Sequence, residues 1–325
     1  MNSLKELLNG IETVGIAGHV KPDGDCVGSC LGVAGYIEDN FPKIKARVFL
    51  DSVPEVFRFL RGAERVETGY PELPPLDLFI VLDCGDARRL GRALPYFKAA
   101  EKTACIDHHV SNESFAGENL VVPDASSTCE LVYELMEKDR VSEKTAEALY
   151  TGIVHDTGVF QYSCTKKRTM EIAGDLMEKG IPYSRIVNDT FFQKTMAENR
   201  LLGTALLKSR LHANGRIISA FLTKEDFESA AATPKDTEGI VAQLRNTKGT
   251  EAAILLYCNE EGRYKLSLRS TELVDCAAIC LKYGGGGHVR AAGATVEGDP
   301  EELCEKIVGE MERYLDYFEG QNLTE

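Results

Sequence analysis

Four short segments in the first half of the chain concentrate histidine and aspartate. They are His19-Val20-Lys21-Pro22-Asp23-Gly24-Asp25, Asp83-Cys84-Gly85-Asp86, Asp107-His108-His109 and His155-Asp156-Thr157-Gly158. Imidazole nitrogens and carboxylates, rather than thiolates, suit a hard or borderline divalent cation such as Mn²⁺, Mg²⁺ or Co²⁺. The donors exceed what one ion needs, so a second ion, bridged to the first by a shared carboxylate, is expected. Two ions roughly 3.5–4 Å apart clamp an in-line displacement at phosphorus and acidify a shared water. Gly24, between two aspartates, allows a turn tight enough for both to face inward.

In the second half, Gly284-Gly285-Gly286-Gly287-His288-Val289-Arg290 offers a different chemistry. Backbone without side chains approaches an oxyanion closely, and successive N–H groups form an anion nest. Arg269 ends the preceding strand. The plainer reading is a flexible turn with a solvated arginine. The run lacks the Gly-Lys-Ser/Thr ending of a phosphate-binding P-loop. No Gly-x-Ser-x-Gly elbow marks a serine nucleophile.

Elements must bring these residues together. Strands are predicted at 14–17, 46–50, 78–82 and 103–106, with helical patterns at 27–38, 126–138 and 143–154. Their alternation predicts an α/β fold, a doubly wound, mainly parallel sheet with helices on both faces. Three of the four segments then follow the carboxyl ends of strands, where open parallel sheets bind ligands. The fourth ends a helix. Singly, an Asp-Gly pair after a strand is a turn and a lone histidine a satisfied core or surface residue. Convergence of four on one sheet edge favours the metal site. Ser127-Thr128-Cys129-Glu130 reads as a helix start whose hydroxyls cap backbone N–H groups.

A helical pattern over 184–211 ends at the turn 213–215. Beyond it, strands at 216–222, 252–258 and 264–269, a helix at 274–281 and an amphipathic helix at 300–318 predict a smaller α/β domain. The expected organisation is a metal-binding catalytic domain over 1–185, a helical linker over 186–213 and a substrate-binding domain over 214–325. No internal repeat or low-complexity segment occurs.

Charge narrows the substrate. The 325 residues carry 37 Lys and Arg against 51 Asp and Glu, a net charge of −14. Long nucleic acid is tracked by basic grooves, so any nucleic-acid ligand is expected to be short, not a long duplex. The acidic surface also opposes anionic membranes. The ten cysteines are scattered without a Cys-x-x-Cys pair. They read as reduced, buried small hydrophobes of a cytoplasmic protein. No secretory leader and no apolar run of membrane-spanning length is seen.

His19-x-x-x-Asp23-x-Asp25, Asp83, Asp107-His108-His109 and His155-Asp156 resemble, in order, the four motifs of the DHH phosphoesterases. Gly284 to Gly293 resembles the glycine-rich motif of the DHHA1 domain. The resemblance spans essentially the whole chain. At this length, with no OB-fold domain, it points to the NrnA-type branch of oligoribonucleases and phosphoadenosine-phosphate phosphatases.

The family implies that His19 and Asp23 bind a first metal, that Asp25, His108 and Asp156 bind a second, and that Asp83 bridges them, with Mn²⁺ favoured. It implies that Asp107 orients a ligating histidine, and that His109 contacts the phosphate or protonates the leaving oxygen. Substrate phosphate falls to His288 and Arg269, beside Gly285, Gly286, Gly287 and Arg290, with the second domain closing over the first about the linker.

The expected activity is two-metal hydrolysis of short RNA or DNA oligonucleotides, linear dinucleotides or 3′-phosphoadenosine 5′-phosphate, by a chain that analogy makes a homodimer. The rivals are a family II pyrophosphatase or exopolyphosphatase, a RecJ-like exonuclease, and a nucleotide-binding module without turnover.

Overall fold

A computed structural model describes residues 1–259 and 261–322. The chain forms two compact units, Met1–Gln193 and Lys194–Glu325. The division falls within the stretch 186–213 that the sequence marks as connecting.

The first unit holds five strands, β1 (Thr13–Ala17), β2 (Lys45–Phe49), β3 (Leu78–Leu82), β4 (Lys102–Asp107) and β5 (Glu118–Val121). Its helices are α1 (Leu4–Leu7), α2 (Gly24–Asn40), α3 (Leu94–Ala99), α4 (Thr128–Leu135), α5 (Glu143–Asp156), α6 (Lys167–Met177) and α7 (Tyr183–Val187). The sheet runs β2-β1-β3-β4-β5, parallel throughout. Ile16 lies between Val48 and Ile80, and Ile80 pairs with Ala104.

The run Leu78-Phe79-Ile80-Val81-Leu82 is buried at every position, as a strand covered on both faces must be. Leu78, Ile80 and Leu82 join one core cluster with Val14, Ile16 and residues of α2, α4 and α5. Phe79 and Val81 join Phe49, Cys105 and Phe97 on the other face. Strand order reverses at β1, which lies between β2 and β3. The carboxyl ends of β1 and β3 therefore flank the switch point, where such sheets form a crevice.

Helix α2 carries Gly24, Gly28 and Gly32 at four-residue spacing, one face of a helix. A Cβ on Gly28 would meet the Ala148 carbonyl oxygen, and one on Gly32 the Leu149 side chain. The glycines thus set how closely α2 lies against α5, and with it the distance between Asp25 and Asp156.

The second unit has helices α8 (Met196–Leu207), α9 (Lys224–Ala230), α10 (Ile240–Arg245), α11 (Cys276–Leu281) and α12 (Pro300–Asn322). Its strands are β6 (Arg210–His212), β7 (Ile217–Leu222), β8 (Ala252–Cys258), β9 (Tyr264–Ser270), β10 (Gly286–His288) and β11 (Ala291–Val296). The sheet order is β10-β11-β9-β8-β7-β6, antiparallel except for the β7–β8 pair. Ala252, Ile254 and Leu256 face α11 and α12, whereas Ala253 and Leu255 face α8 to α10. This alternation follows the two-residue period of a strand.

Among the described residues no helix is long and apolar enough to cross a membrane. The stretch predicted as one helical pattern over 184–211 is divided into α7, a π-helical turn (Asn188–Phe192), α8 and the first residues of β6.

Candidate active site

His19 follows β1, Asp83 follows β3, and Asp107 ends β4 with His108 and His109 behind it. Asp25 lies in the first turn of α2 and Asp156 closes α5. These residues converge at the switch point. Asp83 lies at the centre: its Oδ2 is 3.5 Å from His19 Nε2, while its Oδ1 is 3.5 Å from His108 Nε2 and 3.6 Å from His109 Nδ1. The two carboxylate oxygens thus face two different groups of nitrogen and oxygen donors. His19 Nε2 is 3.6 Å from Asp23 Oδ2, and His108 Nε2 is 3.2 Å from Asp156 Oδ2 and 3.9 Å from Asp25 Oδ2.

Local hydrogen bonds aim these side chains. His19 Nδ1 lies 2.9 Å from the Val20 carbonyl oxygen, an acceptor only, so Nδ1 carries a proton and Nε2 is the nitrogen turned to the site. Asp23 caps α2, its Oδ1 accepting from the Cys26 N–H at 3.1 Å, which leaves Oδ2 towards His19. Asp107 is fully buried and accepts from His109 Nδ1 at 2.7 Å, from the His108 N–H at 2.9 Å and from Asn112 Nδ2 at 2.6 Å. It holds both histidines without facing the centre itself. Asp83 has φ 53°, a left-handed conformation that aspartate tolerates better than most residues.

Several side chains that complete this arrangement carry no sequence signal of it. Asp25, fully buried, accepts from the Thr128 N–H at 2.6 Å and the Cys129 N–H at 2.9 Å. These are N–H groups of the first turn of α4, which lack partners within the helix. Ser127 performs the predicted capping, accepting from the Glu130 N–H. The Thr128 hydroxyl does not: it donates to Asp83 Oδ1 at 3.3 Å. A start to a helix reads as capping because the partner across the sheet edge is invisible in the local sequence.

Two residues of the four segments lie elsewhere. His155 packs edge-on against Phe57, with ring centroids 4.8 Å apart, and its Nε2 bonds Thr190 Oγ1 at 2.8 Å. Burial drives its pKa down to about 4. Asp86 caps the turn Ala87–Ala93 through the Arg88 N–H.

The charge state shows what the cluster lacks. Burial opposes charge on His19, yet Asp23 and Asp83 outweigh it and raise its pKa to about 11. His108 stands at about 10, since Asp83, Asp25 and Asp156 outweigh its burial. Burial and the repulsion of Asp83 and Asp23 lift Asp156 to about 7, against the pull of His108. Asp25 is pushed well up by burial, then by Asp83 and Asp156. A centre that draws protons onto its imidazoles and carboxyls is short of positive charge, so its donor set fits divalent cations.

Among the described residues, three groups of side chains present ligand atoms close enough to hold an ion: His19, Cys26 and Asp83; Asp83, His108 and His109; and Asp25, His108 and Asp156. Cys26 is an addition to the sequence reading. Burial raises its thiol pKa well above the ordinary value, which keeps it protonated.

Thr128→Val, which keeps the branched shape but removes the donor to Asp83, is expected to weaken divalent-cation affinity about 10- to 100-fold. Thr128→Ser should restore it. Calorimetric titration with Mn²⁺ checks both, and equal affinity in all three proteins would remove Thr128 from the site.

In the second unit, the glycine run is mostly architectural. Gly284 has φ 70°, and the Gly284 and Gly285 N–H groups donate to the Leu281 and Cys280 carbonyls, which stops α11. Those two N–H groups are thereby withdrawn from the anion nest expected of them. A Cβ on Gly287 would meet backbone atoms of Ala291 and Ala292, and one on Gly285 those of Gly293 and Ala294. Gly286 meets nothing within 4 Å, so its bareness serves no packing need.

Arg290 donates to the Val274 carbonyl at 3.1 Å. Arg269 and His288 both stand opposite Ala291 in the register of β9, β11 and β10. They share one face of the sheet, two strand spacings or roughly 10 Å apart, with only a small side chain between. That face is opposite the one covered by α11 and α12, which Leu268 and Ala292 contact.

The DHH family, N-terminal domain, matches residues 13–153, and the DHHA1 domain matches residues 214–316. A Thermus thermophilus protein named bifunctional oligoribonuclease and PAP phosphatase NrnA is 31% identical over 314 residues, covering 95% of this chain and 92% of that one. A Bacillus subtilis protein of the same name is 28% identical, covering 93% and 94%. The crystal structure of an exopolyphosphatase-related protein from Bacteroides fragilis is similar with a TM-score of 0.86 at 25% identity, over 96% of this chain and 95% of that one.

Proposed function

We propose, since the chain belongs to the DHH family and is a hydrolase of phosphoester bonds, that it cleaves short oligonucleotides, linear dinucleotides or 3′-phosphoadenosine 5′-phosphate to mononucleotides. The observation that carries this reading is the placement of Asp83, with one oxygen towards His19 and the other towards His108 and His109. A carboxylate so placed can be shared between two cations. On this proposal His19, Asp23 and Asp83 would hold one, and Asp83, Asp25, His108 and Asp156 would hold the other, with Mn²⁺ the ion of choice. Cations held there would polarise the phosphoryl oxygens and acidify a water.

The chain's own groups complete the chemistry. Asp107 takes the Nδ1 proton of His109 as a hydrogen bond and raises its pKa. The bond to Asp107 favours the protonated ring, whose Nε2 proton could be given to the leaving oxygen. We assign this chemistry to residues 1–185 and recognition of a second substrate phosphate to 214–325, with 186–213 connecting them. Arg269 and His288 supply the recognition, with Gly286 leaving room for the ligand and Gly285, Gly287 and Arg290 shaping the strand beside it. The names of the Thermus thermophilus and Bacillus subtilis relatives support these substrates, and the net charge of −14 supports short ones.

The test is hydrolysis of a 5′-phosphorylated RNA dinucleotide and of 3′-phosphoadenosine 5′-phosphate after chelation, with and without added Mn²⁺. Metal-dependent release of mononucleotide, or of AMP and phosphate, is expected. Turnover of pyrophosphate or polyphosphate alone would replace this reading with the pyrophosphatase one. Arg269→Ala should raise KM by about 10-fold or more, the worth of one charge-assisted hydrogen bond, with kcat little changed. An unaltered KM would remove Arg269 from substrate recognition.

A further inference from the structure

Beyond Asp156 the backbone makes a left-handed turn that packs Val159 and Phe160 against the core and turns Tyr162 outward. Gly158, Val159 and Phe160 all have left-handed φ values, 55°, 57° and 64°. For a β-branched valine this is a costly conformation, of the kind that persists where surrounding bonds impose it. The Val159 N–H donates to the Val154 carbonyl at 2.8 Å. The Gln161 and Tyr162 N–H groups both donate to the Thr157 carbonyl at 2.9 Å. The Thr157 hydroxyl accepts from the Phe160 N–H at 3.0 Å.

The turn leaves Tyr162 56% exposed, one bonded residue from Asp156. Its ring lies against Gly158, where any Cβ would fall among the ring atoms. Glycine is needed at 158 to let the ring lie down, while Val159 and Phe160 anchor the turn to the core. An aromatic ring fixed on one side and open to solvent on the other is a stacking surface, and every nucleobase has a π-face to offer it.

We propose that Tyr162 is the nucleobase platform of the site, stacking on the base of the nucleotide whose phosphate lies at Asp83, His108 and Asp156. This rests on the reading of the chain as a nucleotide phosphoesterase. Stacking carries no hydrogen-bond code, so the platform accepts any base and favours purines for their larger face.

Equilibrium binding of AMP and of ribose 5-phosphate, which differ by the base alone, separates the two ideas. Calorimetry on the wild-type protein should show AMP the tighter ligand. Tyr162→Ala should weaken AMP by roughly 5- to 150-fold and leave ribose 5-phosphate unchanged. Tyr162→Phe should keep the preference. The proposal is overturned if the wild type binds both ligands alike, if Tyr162→Ala weakens both equally, or if it keeps the AMP preference. A preference for AMP that Tyr162→Ala erases, in a protein that hydrolyses no phosphoester, would uphold the platform and overturn the catalytic reading instead.

Discussion

Asp83→Asn is expected to lower metal-dependent hydrolysis by at least about a thousandfold and to leave the fold in place. The reason lies in how the two carboxylate oxygens are used. One faces His19 and the other faces His108 and His109, so the substitution affects both groups at once. Lewis-acid polarisation and water activation each contribute several kcal/mol to such reactions, and about 1.4 kcal/mol is a factor of ten in rate.

Asparagine is the informative replacement. It tolerates the left-handed conformation at φ 53°, and its carbonyl oxygen still accepts from Thr128. Removing the charge relieves the repulsion of Asp25 and Asp156 and gives up the attraction of His19 and His108, so the two changes offset. The melting temperature without metal should therefore stay within about 4 °C of the wild type, the equivalent of about 1 kcal/mol. Activity near the wild-type level, with Mn²⁺ stoichiometry unchanged by calorimetry, would sink the assignment of Asp83.

Gly152→Ala should damage the same site from behind. Gly152 lies in α5, and a Cβ there would meet Cys129 Sγ and come within 2.9 Å of Asp25 Oδ1 and 3.1 Å of Asp25 Cα. That oxygen already accepts the Cys129 N–H at 2.9 Å, so it cannot withdraw without breaking the bond. Alanine gains about 1 kcal/mol of helix propensity over glycine, whereas overpacking a tight core costs about 1–3 kcal/mol. A net loss of up to about 2 kcal/mol is expected, with cation affinity reduced at least about tenfold as Asp25 is displaced. Thermal melts and Mn²⁺ titration measure the two effects separately. A more stable variant with intact metal binding would show that α2 and α5 are not as closely set as the structure has them.

Much of this was legible in the residues. Strand–helix alternation predicted the parallel sheet, since an all-buried run such as Leu78 to Leu82 has few other places to go. It placed three His- and Asp-rich segments at carboxyl ends of strands, and the structure brings His19, Asp23, Asp25, Asp83, His108 and Asp156 to that edge. The short strands β5, β6 and β10 were not legible. Residues such as Glu118-Asn119-Leu120-Val121 become a strand because an existing sheet edge supplies their hydrogen bonds, and not from their own propensity.

Within the site the division is sharper. Residue type and spacing determined which atoms were available as ligands and which class of ion would suit them, because donor chemistry belongs to each side chain alone. Orientation was decided by packing between distant parts of the chain. Asp25 is aimed by N–H groups that lie 103 and 104 positions further on, and Thr128 reaches Asp83 across 45. His155 is turned aside by Phe57 and Thr190, although its neighbour Asp156 faces the centre. The glycine run, which looks from its composition like an anion nest, is occupied in part by ending α11. A hydrogen bond is directional and needs a partner within about 3 Å. Only the tertiary structure says which partner is there.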